Sequence, residues 1–136
     1  MKYDVELLQI MSLFEKITRV KLKDVVYFKD KLIFIINAGD LQKALGKNKV
    51  NVDKVEKAIN RKIKIVEYST DMLRFIKNVM SPLKMLEISA DDGVVTIKGP
   101  DQKTKGLMIG SRASNLRLYE EIVKKYHDDL KEIKVI

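Results

Sequence analysis

The chain has 136 residues, enough for one medium domain or two small ones. Its net charge of +8 favours an acidic partner, and 46% apolar against 34% charged residues argues for a packed core and against disorder. The lack of cysteine excludes disulfides and thiolate chemistry; with no membrane-length apolar run and no signal-peptide pattern, the expected location is the cytoplasm.

Residues 4–19 carry Leu7, Ile10, Met11, Phe14 and Ile17 at helical spacing. Residues 24–29 and 31–37 are β-rich, and Lys29-Asp30 between them predicts a tight hairpin. Asp40 to Leu45 predicts a short helix with Asp40 as N-cap. Beyond Gly46, Val52, Val55 and Ile59 mark another helix, and Arg61 to Tyr68 reads as a strand. The order then recurs. Ser69 or Asp71 caps a helix with the stripe Met72, Leu73, Ile76, Val79 and Met80, which Pro82 stops. Residues 84–89 and 93–98 predict a hairpin around Asp91-Asp92-Gly93, and 102–109 a short helix. After Gly110, Leu116, Tyr119, Ile122, Val123 and Tyr126 form an amphipathic stripe, and Lys131 to Ile136 is a closing strand. Each half is α-β-β-α-α-β, an α+β architecture with helices on one face of a sheet.

The halves share more than their order. Leu45-Gly46-Lys47-Asn48-Lys49-Val50-Asn51-Val52 returns as Ile109-Gly110-Ser111-Arg112-Ala113-Ser114-Asn115-Leu116, with the two glycines 64 residues apart. A glycine turn that opens on a helix N-terminus and carries cations can hold a phosphate. Charge concentrates there: Lys43 to Lys64 holds eight basic residues against two acids, and residues 98–117 hold five against one.

This pattern resembles a type II KH domain, and two in tandem on a short chain are similar to the archaeal NusA-like transcription factors. The family turn reads Ile-Gly-x-x-Gly, then x-Asn-Ile. The first copy matches at Leu45, Gly46, Lys47, Asn51 and Val52, and the second at Ile109, Gly110, Asn115 and Leu116. Glu67-Tyr68-Ser69 resembles the family's junction between domains. The resemblance implies two tandem type II KH domains, residues 1–68 and 69–136, packed as one rigid unit. It also implies single-stranded RNA as partner, together with RNA polymerase, in pausing, termination or antitermination. The implied RNA-binding residues are Lys43, Gly46, Lys47, Asn48, Lys49, Asn51 and Lys54 in the first copy, and Lys105, Gly110, Ser111, Arg112, Ala113 and Asn115 in the second.

The fourth turn position departs from the family glycine: it is Lys49 in one copy and Ala113 in the other. The Ala113 methyl is accommodated there if φ is negative, and Lys49 can swing aside or meet a phosphate. These replacements support an alternative, a KH-fold module that docks on RNA polymerase with little RNA affinity. Helix-start amides are expected to be free for a ligand, and Asn51 and Asn115 either cap the helix or touch RNA. Tyr3, Tyr27, Tyr68, Tyr119 and Tyr126 can stack on bases, but those on apolar stripes read as core. His127 has no metal-ligating partner and reads as an exposed helix-end residue. No catalytic motif is present, so no enzyme activity, cofactor, metal, membrane or small-molecule substrate is expected.

Overall fold

The computed structural model describes residues 4–136, so Tyr3 lies outside the described residues. The chain divides between Tyr68 and Ser69 into two compact units.

In the first unit, Asp4 caps α1 (Val5–Thr18) by accepting the Leu7 amide at 2.7 Å. The chain continues through β1 (Leu22–Phe28), β2 (Lys31–Ile36), α2 (Leu41–Leu45), a 3₁₀ turn (Lys47–Lys49), α3 (Val50–Ile59) and β3 (Ile63–Glu67). The sheet order is β1-β2-β3, with β2 antiparallel to β1 and parallel to β3. Leu22 and Val25 both face the helices because a bulge at Lys23–Asp24 adds one residue between the partners of Ile36 and Phe34. They join Leu7, Ile10, Phe14, Leu32, Phe34 and Val55 in one core, where Phe14 stacks on Phe34 at 4.4 Å. Burying such side chains is worth about 1.5–3 kcal/mol each before the entropy of ordering them.

The second unit has α4 (Met72–Met80), β4 (Glu87–Asp91), β5 (Val94–Lys98), α5 (Gln102–Ile109), a 3₁₀ turn (Ser111–Ala113), α6 (Ser114–Lys124) and β6 (Glu132–Val135). Its sheet, β4-β5-β6, has the same pattern of one antiparallel and one parallel pair. Asp71 caps α4 through the Leu73 amide, while the Ser69 hydroxyl accepts the Asp71 amide. Asp101 caps α5 through the Thr104 amide, which holds its carboxyl below the usual carboxylate range.

Three local expectations are corrected. Asp40 occupies the N-cap position of α2, but its side chain makes no capping bond. β4 begins at Glu87 and runs through Asp91, because the hairpin loop is only Asp92-Gly93, both at positive φ. His127 is buried rather than exposed: its ring lies 5.7 Å from that of Phe75, and its Nε2 sits 2.9 Å from the Ser69 carbonyl, so Nε2 carries the proton.

Candidate nucleic-acid interface

The two glycine turns have nearly the same backbone. Gly46 lies at φ 74°, ψ 172° and Gly110 at φ 73°, ψ 175°. Two left-handed residues follow one position later. Asn48 (54°, 31°) matches Arg112 (53°, 36°), and Lys49 (59°, 29°) matches Ala113 (62°, 23°). Ala113 therefore holds its place at positive φ, so the negative φ that would accommodate its methyl without strain is not what the turn adopts. Each non-glycine residue in this region costs roughly 1–2 kcal/mol. Four such residues are held by their surroundings.

The repeated Gly and Asn are the parts that hold them. Asn51 Nδ2 donates to the Lys43 carbonyl at 3.3 Å, and Asn115 Nδ2 donates to the Leu107 carbonyl at 2.8 Å. Each asparagine thus ties the first turn of one helix to an end carbonyl of the helix before it, eight residues back. Neither acts as an N-cap. Each side chain fills the space where a glycine Cβ would stand: a Cβ at Gly46 would lie 2.8 Å from Asn51 Nδ2, and one at Gly110 would lie 2.7 Å from Asn115 Cγ. The five-residue Gly-to-Asn spacing is a packing requirement, met twice.

A third element of the repeat went unseen in the sequence. Ten residues after each glycine stands a glutamate, Glu56 or Glu120. Glu56 Oε2 accepts the Ile63 amide at 3.0 Å, and Glu120 Oε2 accepts the Ile133 amide at 2.8 Å, so each carboxylate anchors the start of the last strand. Their shared offset from the glycines was the only available signal.

The amides at the helix starts are not free, contrary to expectation. Lys49 N–H donates to the Gly46 carbonyl at 3.1 Å and Val50 N–H to that of Lys47; Ala113 N–H donates to Gly110 at 3.2 Å and Ser114 N–H to Ser111. Open amides lie slightly earlier. Among the described residues, those of Lys47, Asn48, Ser111 and Arg112 donate to no carbonyl of another element, and all four residues are exposed. Successive amides in such a turn form a concavity suited to an anion.

Lys43, Lys47, Lys49 and Lys54 are exposed around the first turn, and Arg112 is exposed at the second. Lys105 is half-buried on α5, more than one helical turn before Gly110, and its charge helps keep Asp101 ionised. Three of the eight cations of the first copy are otherwise engaged, Arg61 by lying 5.8 Å from the Tyr27 ring centre. Lys62 lies 3.9 Å from Glu56, and Lys64 is half-buried, its pKa lowered to about 8 by desolvation and then by Lys31. Of the tyrosines, Tyr119 is buried, Tyr126 meets Phe75 edge-on at 5.7 Å, and Tyr68 lies under Lys23 Nζ at 4.5 Å. Tyr27 alone of these four is exposed. Among the described residues no group of His, Cys, Asp or Glu is placed to hold a metal, and no helix is long and apolar enough to cross a membrane.

The chain is 31% identical to the probable transcription termination protein NusA of Methanocaldococcus jannaschii, over 93% of this chain and 70% of that protein. The chain belongs to the archaeal NusA-like family. Two further NusA-like relatives carry the same description. That of Methanococcus vannielii is 29% identical over 99% of this chain and 79% of its own length; that of Thermoplasma acidophilum is 29% identical over 90% and 88%. The crystal structure of APE1850 has the same fold, with a TM-score of 0.70 at 24% identity over 98% of this chain and all of that one. No protein-family model matches the chain.

Proposed function

We propose that this NusA-like chain is a non-enzymatic, single-stranded RNA-binding transcription factor. In this reading residues 1–68 and 69–136 are type II KH domains, and each captures sugar-phosphate backbone at its glycine turn. The observation that carries it is the matched pair of turns. Two stretches that share no side chain between the glycine and the asparagine hold the same unfavourable dihedral angles. Each presents open amides beside Lys47 and Lys49, or beside Arg112. Such a turn clamps about four nucleotides, with bases directed to the neighbouring groove. Relatives described as probable transcription termination proteins support a place on the transcript, in the cytoplasm, where RNA binding would influence pausing, termination or antitermination.

A second reading is a docking module on RNA polymerase with little RNA affinity. It is favoured by Lys49 and Ala113, whose side chains stand where the family glycine lets a nucleotide backbone approach. Titration of single-stranded RNA at several salt concentrations separates the two. Phosphate capture predicts that log K falls with log salt, with a slope near −0.7 for each contacted phosphate. No binding even at low salt would leave the docking module.

A further inference from the structure

We propose that the first unit carries a second RNA-contacting surface, formed by the outward face of α3 and the Tyr27–Arg61 pair beyond its end. It would take the single strand where it leaves the first glycine turn. The inference rests on the reading that this turn binds RNA.

α3 turns Val52, Val55 and Ile59 to the core. At 100° per residue, the opposite side carries Val50, Lys54 and Lys57, all exposed. Among the described residues, neither lysine has a carboxylate within 4.0 Å. Glu56 does not offset them, because its oxygens are taken by the Ile63 amide and by Lys62. Just past the helix, the Arg61 guanidinium lies 5.8 Å from the Tyr27 ring centre, and Tyr27 is 47% exposed on edge strand β1. A cleft of about 440 Å³ opens beside them, lined by Asp53, Glu56, Lys57, Asn60, Arg61 and Lys62; Asp53 is the exposed acid on this face, against the cations Lys54, Lys57 and Arg61. An exposed ring with a guanidinium across it is the chemistry that stacks an unpaired base and holds its phosphate. The stripe spans about 16 Å from Val50 to Arg61, beyond the reach of the turn itself.

The second copy provides an internal control. Its core and anchor positions repeat, with Val55 answered by Tyr119, Glu56 by Glu120 and Ile59 by Val123. Most of the stripe does not repeat. Lys54 becomes Leu118, Lys57 becomes Glu121 and Tyr27, by its place in the hairpin register, becomes Ala90; only the cation of Arg61 is kept, as Lys125. The fold therefore does not require a basic, aromatic stripe at these positions.

The test uses the full chain and two oligouridylates, one of about four residues, the length a turn clamps, and one of about twelve. In the Lys57→Gln/Arg61→Gln variant the longer strand should bind about tenfold more weakly, with its salt slope reduced by about 1.4, and the shorter strand should be unchanged. Tyr27→Ala should weaken the longer strand at least about fivefold with no change in slope. Equal losses for both strands, or none, would overturn the proposal and leave the turn reading standing. Failure of the parent chain to bind either strand would instead remove the turn reading, and this proposal with it. Polyglutamate bound as tightly as RNA, and lost in the same variants, would assign the stripe to an acidic protein.

Discussion

The two glycine turns share a backbone and differ in almost everything attached to it. Between glycine and asparagine the first turn reads Lys-Asn-Lys-Val and the second Ser-Arg-Ala-Ser, yet their dihedral angles agree within a few degrees. The shape therefore does not come from the turn side chains. It comes from the glycine, from the asparagine that occupies its missing Cβ, and from the helix carbonyl which that asparagine holds. Charge is then a separate variable, high in the first copy and lower in the second.

The largest expected effects come from breaking the shared part. Gly110→Ala forces alanine to φ 73° and drives its Cβ against Asn115 Cγ at 2.7 Å and the Asn115 backbone nitrogen at 2.9 Å. It should cost about 3 kcal/mol in denaturant unfolding. Gly46→Ala meets only side-chain atoms and should cost about 2 kcal/mol. Adding Asn51→Ala should recover part of that loss, whereas Asn115→Ala should not rescue Gly110→Ala. Equal rescue at both sites would break the distinction between the turns.

The unshared part is tested next. Lys47→Asp with Asn48→Asp should weaken RNA binding about a hundredfold, and Arg112→Asp about tenfold, with thermal unfolding little changed. An identical loss at both turns would mean that local charge does not separate them. A third comparison sets a half-buried cation against these exposed ones. Lys64 binds its proton less well folded than unfolded, so between about pH 8 and its ordinary value the unfolded chain holds more protons and stability rises with pH. Below pH 8 the penalty is full. Lys64→Met should add about 1–2 kcal/mol at pH 7 and remove that alkaline rise, as read by unfolding at several pH values. The smallest effect concerns the strained residues. Lys49→Gly and Ala113→Gly should each stabilise by about 0.5–1 kcal/mol, and by similar amounts, because their backbones match.

What the sequence revealed was what depends on one element at a time. Apolar periodicity marked α1, α4 and α6, Asp91-Asp92-Gly93 marked a hairpin, and the Gly–Asn repeat marked both turns. What stayed hidden depends on how elements cross. The bulge in β1 shows only in the pairing register. The donation from Asn115 to Leu107 and the Glu120 anchor on Ile133 join separate elements. His127 reads as a polar helix end until the fold brings Phe75 of α4 and the Ser69 carbonyl, just before that helix, to its ring. Positive φ at Ala113 runs against alanine's own preference, so no local rule could announce it.

The most direct test follows backbone amide resonances of the full chain during titration with single-stranded RNA at low and high salt. The account predicts that the amides of Lys47, Asn48, Ser111 and Arg112 shift first and that salt suppresses those shifts. Saturable binding that leaves all four resonances in place would contradict it.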